Sequence, residues 1–398
     1  MGREGEDDMT ALDRALTIEE LRVMARRRVP RQFYEYVDAG SYSESTYRSN
    51  EADFAKITFR QRVAVNLANR NLSTVLLGHE ASLPIAIAPV GSTGMTDADG
   101  EIKAARAAEK FGIPFTLSTM SICSIEDVAE NTSAPFWFQL YVMRDREFIK
   151  RLIARAKAAK CSALMLTLDL QLLGQRHKDH RNGLSTPPKI TPRFIAEMMI
   201  KPGWAMRMLG TKRHLFSNIA GHVPDTTNLS SISEWARTQF DLTLNWGDVA
   251  WIKEQFGGQL IVKGILDAED AKLAVQHGAD AIVVSNHGGR QLDGAPSSIR
   301  VLPEIVDAVG TNTTVLMDGG IRSGQDLLKA LALGARGALV GRVMSYGLGA
   351  GGEAGVRRAL EIIRRETDTT MALMGERDIR NIGPHNIYSN DIPRRQGH

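Results

Sequence analysis

The sequence predicts an α/β fold of the (β/α)8 TIM-barrel type, with an N-terminal helical cap and a long insertion after strand four. Three observations carry the prediction. From about residue 82 onward, short β-rich runs alternate with amphipathic helical stretches, the pattern of parallel strands joined by helical crossovers. Eight such runs can be counted, as a closed parallel barrel requires. The structural rival, a doubly wound open sheet, expects a Gly-rich turn after its first strand, and APVGSTGM (88–95) is not G-x-G-x-x-G.

The runs are PIAIAP (84–89), FTLS (115–118), FWFQLYV (136–142), ALMLTLD (163–169), LIVKG (260–264), AIVVS (281–285), TVLMD (314–318) and ALVG (338–341). The clearest βα units lie near the end. Asp267 is the expected N-cap of a helix running through Ala271, Ala274 and Val275, and Gly278 ends it before AIVVS. Ser323 with Asp326 forms a second, capping-box-like start; Leu327 to Leu333 supplies the apolar face and Gly334 closes the helix before GALVG (337–341). Ahead of the barrel, residues from about 16 to 80 read as two short helices with irregular or β connections. The longest interruption lies between Asp169 and Lys263 and holds residues 186–222. One domain over 1–398 is the expected organisation: 1–80 as cap, 82–345 as barrel with an insertion over 180–245, and 346–398 as C-terminal helix and tail.

A hydrophobic content of 43% and a charged content of 24% are near the globular average, which points neither to disorder nor to a membrane bundle. The formal net charge of +3 is small for this length and gives no nucleic-acid footprint. Cys123 and Cys161 lack metal-ligand spacing and read as buried thiols of a reducing compartment; no metal site is expected. The first sixteen residues are acidic and lack an apolar core, so no secretory signal and a cytoplasmic location are expected. The longest apolar candidate, Ala81 to Thr96, is broken by Pro84 and Pro89 and falls short of the roughly 18 residues a membrane span needs.

In a barrel the active site forms where the strands end. Almost every run here ends on a polar residue: Gln139 and Tyr141, Thr167 and Asp169, Lys263, Ser285 and His287, Asp318, and the pair Gly341–Arg342. One such residue would be unremarkable, because buried polar groups satisfied by backbone are common. Six strand ends together are harder to dismiss. DGGIRSG (318–324) leads into a helix N-terminus and VGR (340–342) ends the last strand, so glycine N–H groups with Arg322 and Arg342 could hold a phosphate. Ordinary tight turns with surface arginines are the plain alternative. In SNHGGRQLDG (285–294), His287 is followed by two glycines, which leave room for a substrate, and Arg290 could place a fork for a carboxylate beside it.

With these motifs in view, the chain resembles the FMN-dependent enzymes that oxidise 2-hydroxy acids, a family including glycolate oxidase, L-lactate dehydrogenases and oxidases, and mandelate dehydrogenase. The resemblance covers roughly residues 17–375. Its most specific pieces are SNHGGRQLDG, FQLYV (138–142), IVKGI (261–265), MDGGIRSG (317–324) and VGR. FYEYVDAGSYSEST (33–46), APVGSTGM and FTLSTMSICSIEDVA (115–129) are most similar to the membrane-associated bacterial L-lactate dehydrogenases.

The resemblance implies FMN as cofactor, an L-2-hydroxy acid (L-lactate above all) as substrate, and His287 as the base that takes its proton. It implies that Asp169 hydrogen-bonds His287 and stabilises its imidazolium form, which is sensible because a nearby carboxylate raises proton affinity and fixes the tautomer. Arg290 and Arg176 match the substrate-carboxylate arginines, Tyr36 supplies a phenolic hydrogen bond, and Tyr141 stabilises the reacting substrate. Lys263 matches the lysine beside flavin N1 and the C2 carbonyl, a fixed charge that the reduced ring needs. Pro89, Val90, Gly91, Ser118, Gln139, Thr167 and Ser285 match isoalloxazine and ribityl contacts. Asp318 matches a ribityl hydroxyl acceptor, with Gly319, Gly320, Arg322, Gly341 and Arg342 at the phosphate. Gly91 and Met120 depart from glycolate oxidase, which has alanine and tryptophan there, leaving oxygen reactivity and chain-length preference open. A Schiff-base aldolase using Lys263 is the rival enzyme, but it leaves His287 and Arg290 unexplained; a non-catalytic flavin- or phosphate-binding barrel would not need His287, Asp169 and both arginines.

Within the interruption, Lys189, Arg193, Lys201, Arg207, Lys212 and Arg213 stand against the single acid Glu197. They interleave with Phe194, Ile195, Met198, Met199, Ile200, Trp204, Met206, Met208 and Leu209. Such interleaving suits an anionic membrane surface, with apolar residues in the headgroup boundary and cations on lipid. The alternative is a lid docked on the barrel. The membrane reading implies a peripheral location on the inner face of the cell membrane and a quinone or respiratory electron acceptor, against oxygen in the oxidase reading. The resemblance further implies a homotetramer.

Overall fold

The computed structural model describes residues 10–182, 192–220 and 238–391. Among these, eight parallel strands form the centre: β1 Ile85–Ile87, β2 Thr116–Ser118, β3 Trp137–Tyr141, β4 Ala163–Thr167, β5 Gln259–Ile265, β6 Ala281–Val284, β7 Thr314–Met317 and β8 Gly337–Val340. They pair in chain order from β2 to β8, and β8 pairs with β1 from Ala338↔Ile85 to Val340↔Ile87. The ring closes through the single bridge Ile87↔Phe115, with the Ile87 N–H donating to Pro114 O at 2.9 Å. All eight expected runs are strands of this barrel, and the open sheet is excluded.

The capping chemistry behaves as read. Asp267 accepts from the Glu269 N–H to start the helix Ala268–Gln276, and Ser323 accepts from the Asp326 N–H to start Gly324–Ala332. Gly278 and Gly334 turn the chain at φ +90° and +104°, conformations that suit glycine. The last long helix, Arg342–Leu373, is broken at Gly351 and Gly352, whose backbone leaves the helical region.

Alternation along the strands decides what faces the barrel axis. One buried cluster joins Ala86, Trp137, Ala163, Met165, Ile261, Ala281, Val283, Leu316 and Leu339 with Leu76 and Leu77. Those leucines come from a hairpin, Thr74–Leu76 with His79–Ala81, whose turn residues Leu77 and Gly78 both have positive φ as a tight two-residue hairpin requires. The hairpin plugs the N-terminal end of the interior. Two residues further along the same inward rows stand Gln139, Thr167, Lys263, Ser285, Asp318 and Gly341. The barrel is therefore apolar at its floor and polar at its mouth.

Three helices precede the barrel rather than the two expected: Ile18–Arg28, Arg31–Asp38 and Ser45–Ala52, the last running into a 3-10 turn at Asp53–Lys56. The third was hidden because its buried residues are Thr46 and Asn50. Thr46 donates from its backbone to Asp293 Oδ1 at 2.9 Å, and Asn50 exchanges hydrogen bonds with Asn286 at 2.8 Å. No apolar periodicity marks a helix whose inner face is polar. The strand Ile57–Phe59 then pairs antiparallel with Ile387–Asn390 near the other end of the chain.

Part of the insertion, with Lys189, lies outside the described residues. The described part forms the helices Pro192–Ile200 and Pro202–Gly210 and corrects the expectation for Trp204. Trp204 is buried, stacks on Phe33 with ring centroids 5.4 Å apart, and donates its indole N–H to Met95 O at 3.1 Å. Arg207 pairs with Asp97, and Arg213 pairs with Asp127 and Asp99, so these cations serve the barrel rather than lipid. The opposite side is bare: Met199, Ile200, Met206 and Leu209 are 71%, 67%, 73% and 85% exposed. One face docks as a lid would, and the other stays open.

Leu76→Ala should open a cavity in the barrel floor and cost about 2–5 kcal/mol, read as a lowered midpoint in denaturant unfolding. Because Leu76 is far from the polar mouth, the folded variant should keep its ligand binding.

Candidate active site

A cavity opens at the C-terminal ends of the strands. Tyr36, Pro89, Val90, Gly91, Tyr141, Arg176, Lys263, His287, Arg290, Asp318, Gly319, Gly320, Arg322, Gly341 and Arg342 all line it, together with Met120. Asp169 stands behind His287. Ser118, Gln139, Thr167 and Ser285 lie just beneath, buried in a polar layer: Ser118 Oγ donates to Gln139 Oε1 at 3.1 Å, and Gln139 Nε2 donates to Thr167 Oγ1 at 3.1 Å.

His287 owes its pose to strained backbone. Its φ is +59°, and Gly288 and Gly289 follow at +65° and +73°. A left-handed histidine is uncommon and persists where the surroundings over-determine it. Here Ser285 Oγ accepts the His287 N–H at 3.1 Å, and a Cβ at Gly289 would sit 2.5 Å from the Tyr47 nitrogen, so only glycine fits. The imidazole Nδ1 meets Asp169 Oδ1 at 2.9 Å. Asp169 gains its place because Gly264, at φ +102°, breaks the β5 register; a Cβ there would come within 2.8 Å of the Asp169 side chain.

Electrostatics at the mouth follow from burial among cations. Burial, helped by Lys263 and Arg290, holds the His287 pKa below the ordinary histidine value against the pull of Asp169. The ring is neutral at neutral pH and able to accept a proton. Burial pushes the Asp169 carboxyl up, but His287 and Lys263 hold it below the usual carboxylate range. Lys263 is buried with its Nζ 2.8 Å from Ser285 Oγ and 3.2 Å from Asp318 Oδ2. Burial alone would lower its pKa; Asp318 and Asp169 raise it instead. A lysine paired with Asp318 and kept protonated is a poor nucleophile for a Schiff base, which counts against the aldolase reading.

Two guanidiniums flank one ring. Arg290 lies 4.8 Å and Arg176 5.5 Å from the Tyr36 ring centroid. Arg176 Nε pairs with Asp179 Oδ2 at 3.2 Å, whereas Arg290 Nη1 donates to the carbonyls of Tyr36 and Ala39. Burial and the neighbouring Arg176 push the Arg290 pKa down to about 10, so it remains charged at neutral pH. Held by carbonyls, Arg290 keeps its positive charge for a ligand anion. Tyr141 stays protonated, since burial and Asp169 raise its pKa.

Beyond Lys263 the cavity ends at Gly341, where the Arg342 helix begins. An N-terminus of this kind receives phosphate through its free N–H groups. Arg322 donates to Glu51 Oε1 at 2.8 Å, and Arg342 donates to the carbonyls of Val37, Gly288 and Ala39 while stacking 4.4 Å from the Tyr47 ring centroid. Both side chains are already anchored there. Asp318 Oδ1 and Ser345 Oγ are buried without a protein partner beside this end. Orphaned acceptors and a hydroxyl, a helix N-terminus and a buried cation suit the ribityl chain, phosphate and ring of FMN.

Several cavity residues were given no role by the sequence: Phe33 and Met95 lie inside quoted motifs, whereas Phe216 and Phe240 belong to none. Phe33, Met95, Phe216 and Phe240 form apolar wall, and Phe240 packs edge-on against Tyr141 with centroids 5.6 Å apart. Phe216 and Phe240 reach the site from the insertion, whose fold no motif describes. Asp179 had a signal, standing three residues after Arg176.

A barrel with a flavin-shaped cavity, a fixed cation and a histidine–carboxylate pair at its mouth defines a class of flavin-dependent oxidoreductase. The chain belongs to the FMN-dependent dehydrogenase family, whose model matches residues 25–389. It is 46% identical over 377 residues to an L-lactate dehydrogenase of Caulobacter vibrioides, covering 94% of this chain and 98% of that protein. An L-lactate dehydrogenase of Pseudomonas syringae is 46% identical over 365 residues, or 91% and 96% of the two chains. Among solved structures, a monotopic membrane protein, (S)-mandelate dehydrogenase, superposes with a TM-score of 0.90 at 34% identity, covering 95% of this chain and all of the other.

Arg290→Lys should weaken binding of a small carboxylate such as pyruvate by at least about tenfold, because lysine lacks the bidentate fork and charged hydrogen bonds contribute about 1.5–3 kcal/mol. Titration of the bound flavin's visible spectrum measures it. FMN content should be unchanged; unaltered affinity would remove Arg290 from the site.

Proposed function

We propose that the protein oxidises L-lactate to pyruvate, with His287 as the base and a membrane quinone as the electron acceptor. The observation that carries the reading is the His287 ring at the cavity mouth, bound through Nδ1 to Asp169 Oδ1 at 2.9 Å, with Arg290 lining the same cavity. FMN, when bound, would supply the redox chemistry, accepting the two electrons and one of the two protons that L-lactate loses, while the other proton goes to His287. Arg290 and Arg176 bind the carboxylate, and Tyr36 adds its hydroxyl. Tyr141, a protonated donor, stabilises the reacting oxygen. With Nδ1 engaged, Nε2 of His287 receives the proton, and Asp169 stabilises the imidazolium that results. Lys263 stays positive where negative charge gathers on the flavin ring, with Asp318, Gly319, Gly320, Gly341, Arg322 and Arg342 holding the ribityl and phosphate end. The 46% identical relatives named L-lactate dehydrogenase support the substrate.

For the acceptor, the support is the bare apolar face of Met199, Ile200, Met206 and Leu209. No described helix is long and apolar enough to cross a membrane, so contact by this face would be peripheral. The structural relative is itself monotopic. The docked face reaches the site: Trp204 binds Phe33 and Met95, both cavity residues. Lid and membrane surface are then two faces of one segment. A homotetramer is part of the same proposal.

Purified protein should be yellow and should bleach with anaerobic L-lactate. His287→Gln should keep the FMN spectrum but slow bleaching at least about a hundredfold; a rate near wild type would show that another group takes the proton.

The pH dependence has a definite sign. Oxidation needs neutral His287, so kcat/KM should fall as pH drops through its pKa. Because that pKa is held below the ordinary value, the acid limb should lie below about pH 6.5. A midpoint above that value would contradict the electrostatic picture.

Replacing Met199, Ile200, Met206 and Leu209 together by serine should release the enzyme from anionic vesicles in a sedimentation assay while flavin reduction continues. If the intact enzyme ignores vesicles and turns over with oxygen as fast as with quinone analogues, the oxidase reading replaces this one.

A further inference from the structure

The cap helix Arg31–Asp38 ends where the two halves of the site meet. Its last carbonyls hold both kinds of arginine: Arg290, beside the substrate position, donates to Tyr36 O and Ala39 O, and Arg342, at the phosphate end, donates to Val37 O and Ala39 O. Ala39 O accepts from both, at 3.1 and 2.8 Å. A helix C-terminus carries partial negative charge, so it grips guanidiniums without neutralising them as a carboxylate would. Where this helix end sits therefore sets where Arg290 points.

Asp38, between those carbonyls, carries a buried carboxylate that touches neither arginine side chain. Arg22 binds it in bidentate fashion, Nε to Oδ1 at 2.9 Å and Nη2 to Oδ2 at 3.0 Å, and Tyr346 donates its hydroxyl to Oδ1 at 2.6 Å. Tyr346 belongs to the first turns of the helix that begins at Arg342, and its ring centroid lies 6.0 Å from the guanidiniums of both Arg22 and Arg322. The side chain thus ties the cap to the phosphate-bearing helix, while its own backbone neighbours tie the cap to Arg290. A carboxylate with two strong charge-assisted contacts in a buried place is a rigid anchor.

We propose that Asp38 is a positioning residue, which fixes the end of the cap helix on the Arg342 helix and so holds Arg290 and Tyr36 in register for the substrate carboxylate. The proposal rests on the functional reading above. It makes substrate affinity depend on a residue that never meets the substrate. It also links the two ends of the site, because the helix that would carry the flavin phosphate is the one Asp38 is fastened to.

The test uses FMN-bound protein and anaerobic stopped-flow reduction over a range of L-lactate concentrations, with Asp38→Asn, Tyr346→Phe and wild type side by side. Asparagine presents an amide N–H₂ to Arg22 and loses the pair; phenylalanine removes one hydrogen bond. Asp38→Asn should raise the dissociation constant for L-lactate at least about tenfold and leave the limiting reduction rate within about threefold, since His287 and Asp169 are untouched. Tyr346→Phe should shift affinity the same way by a smaller factor. The proposal is overturned if both variants hold L-lactate within about twofold of wild type, or if the limiting rate falls in proportion to affinity. Should Asp38→Asn fail to give a folded yellow protein, Tyr346→Phe decides by the same criteria. A wild-type protein that no 2-hydroxy acid reduces would count against the functional reading instead, and the affinity for pyruvate, read from the flavin spectrum, would then decide the role of Asp38.

Discussion

The site depends on the positive charge of Arg290, which is held by backbone carbonyls rather than by a carboxylate. The guanidinium lies beside Arg176 and acts on His287, in a place where burial strengthens every interaction. One field has two effects. It attracts a small carboxylate, and it adds to burial, the larger cause, in holding the His287 pKa below the ordinary histidine value. On the proposed reading the two are coupled: a bound carboxylate offsets the guanidiniums, and the base gains proton affinity at the moment its substrate is present. Asp169 then carries the stabilisation of the imidazolium.

The field can be maintained because the barrel separates its chemistry by height. Along β3 to β7 the inward row is apolar near the floor, as at Ile261, Val283 and Leu316, and polar two residues later, at Lys263, Ser285 and Asp318. Buried lysine and aspartate would be costly alone. Stacked on a close-packed floor and hydrogen-bonded to one another, they form a layer whose members fix each other's geometry.

Most of that layer was legible in the sequence, because strand parity converts position into direction: a polar residue two places beyond a buried apolar one must face the same mouth. Gln139, Thr167, Lys263, Ser285, Asp318 and His287 were all found so, or by their motifs. The third cap helix was not, since Thr46 and Asn50 are its inner face and polar residues leave no apolar period. Trp204 was misread as lipid-facing because a tryptophan among cations looks alike whether its partner is lipid or Phe33. Phe240 and Phe216 were invisible for a different reason: they reach the cavity from the insertion, where distance along the chain says nothing about distance in space.

The pairing of Ile57–Phe59 with Ile387–Asn390 has a bearing on how the molecule is made. A chain leaving the ribosome delivers its N-terminal part first, at about 5–20 residues per second. The cap that supplies Tyr36 emerges early, yet its strand has no partner until residues 387–390 have been made, and β1 waits for β8 to be paired along its length. The flavin and anion pocket is therefore completed only when β8 and the start of the Arg342 helix have been made, since Gly341, Arg342 and Ser345 line it. A nascent barrel can gather its inner layers while still tethered, but a polypeptide cut short before residue 337 lacks the strand that closes the ring and the helix that follows it, and cofactor capture becomes a sign that β8 has been made.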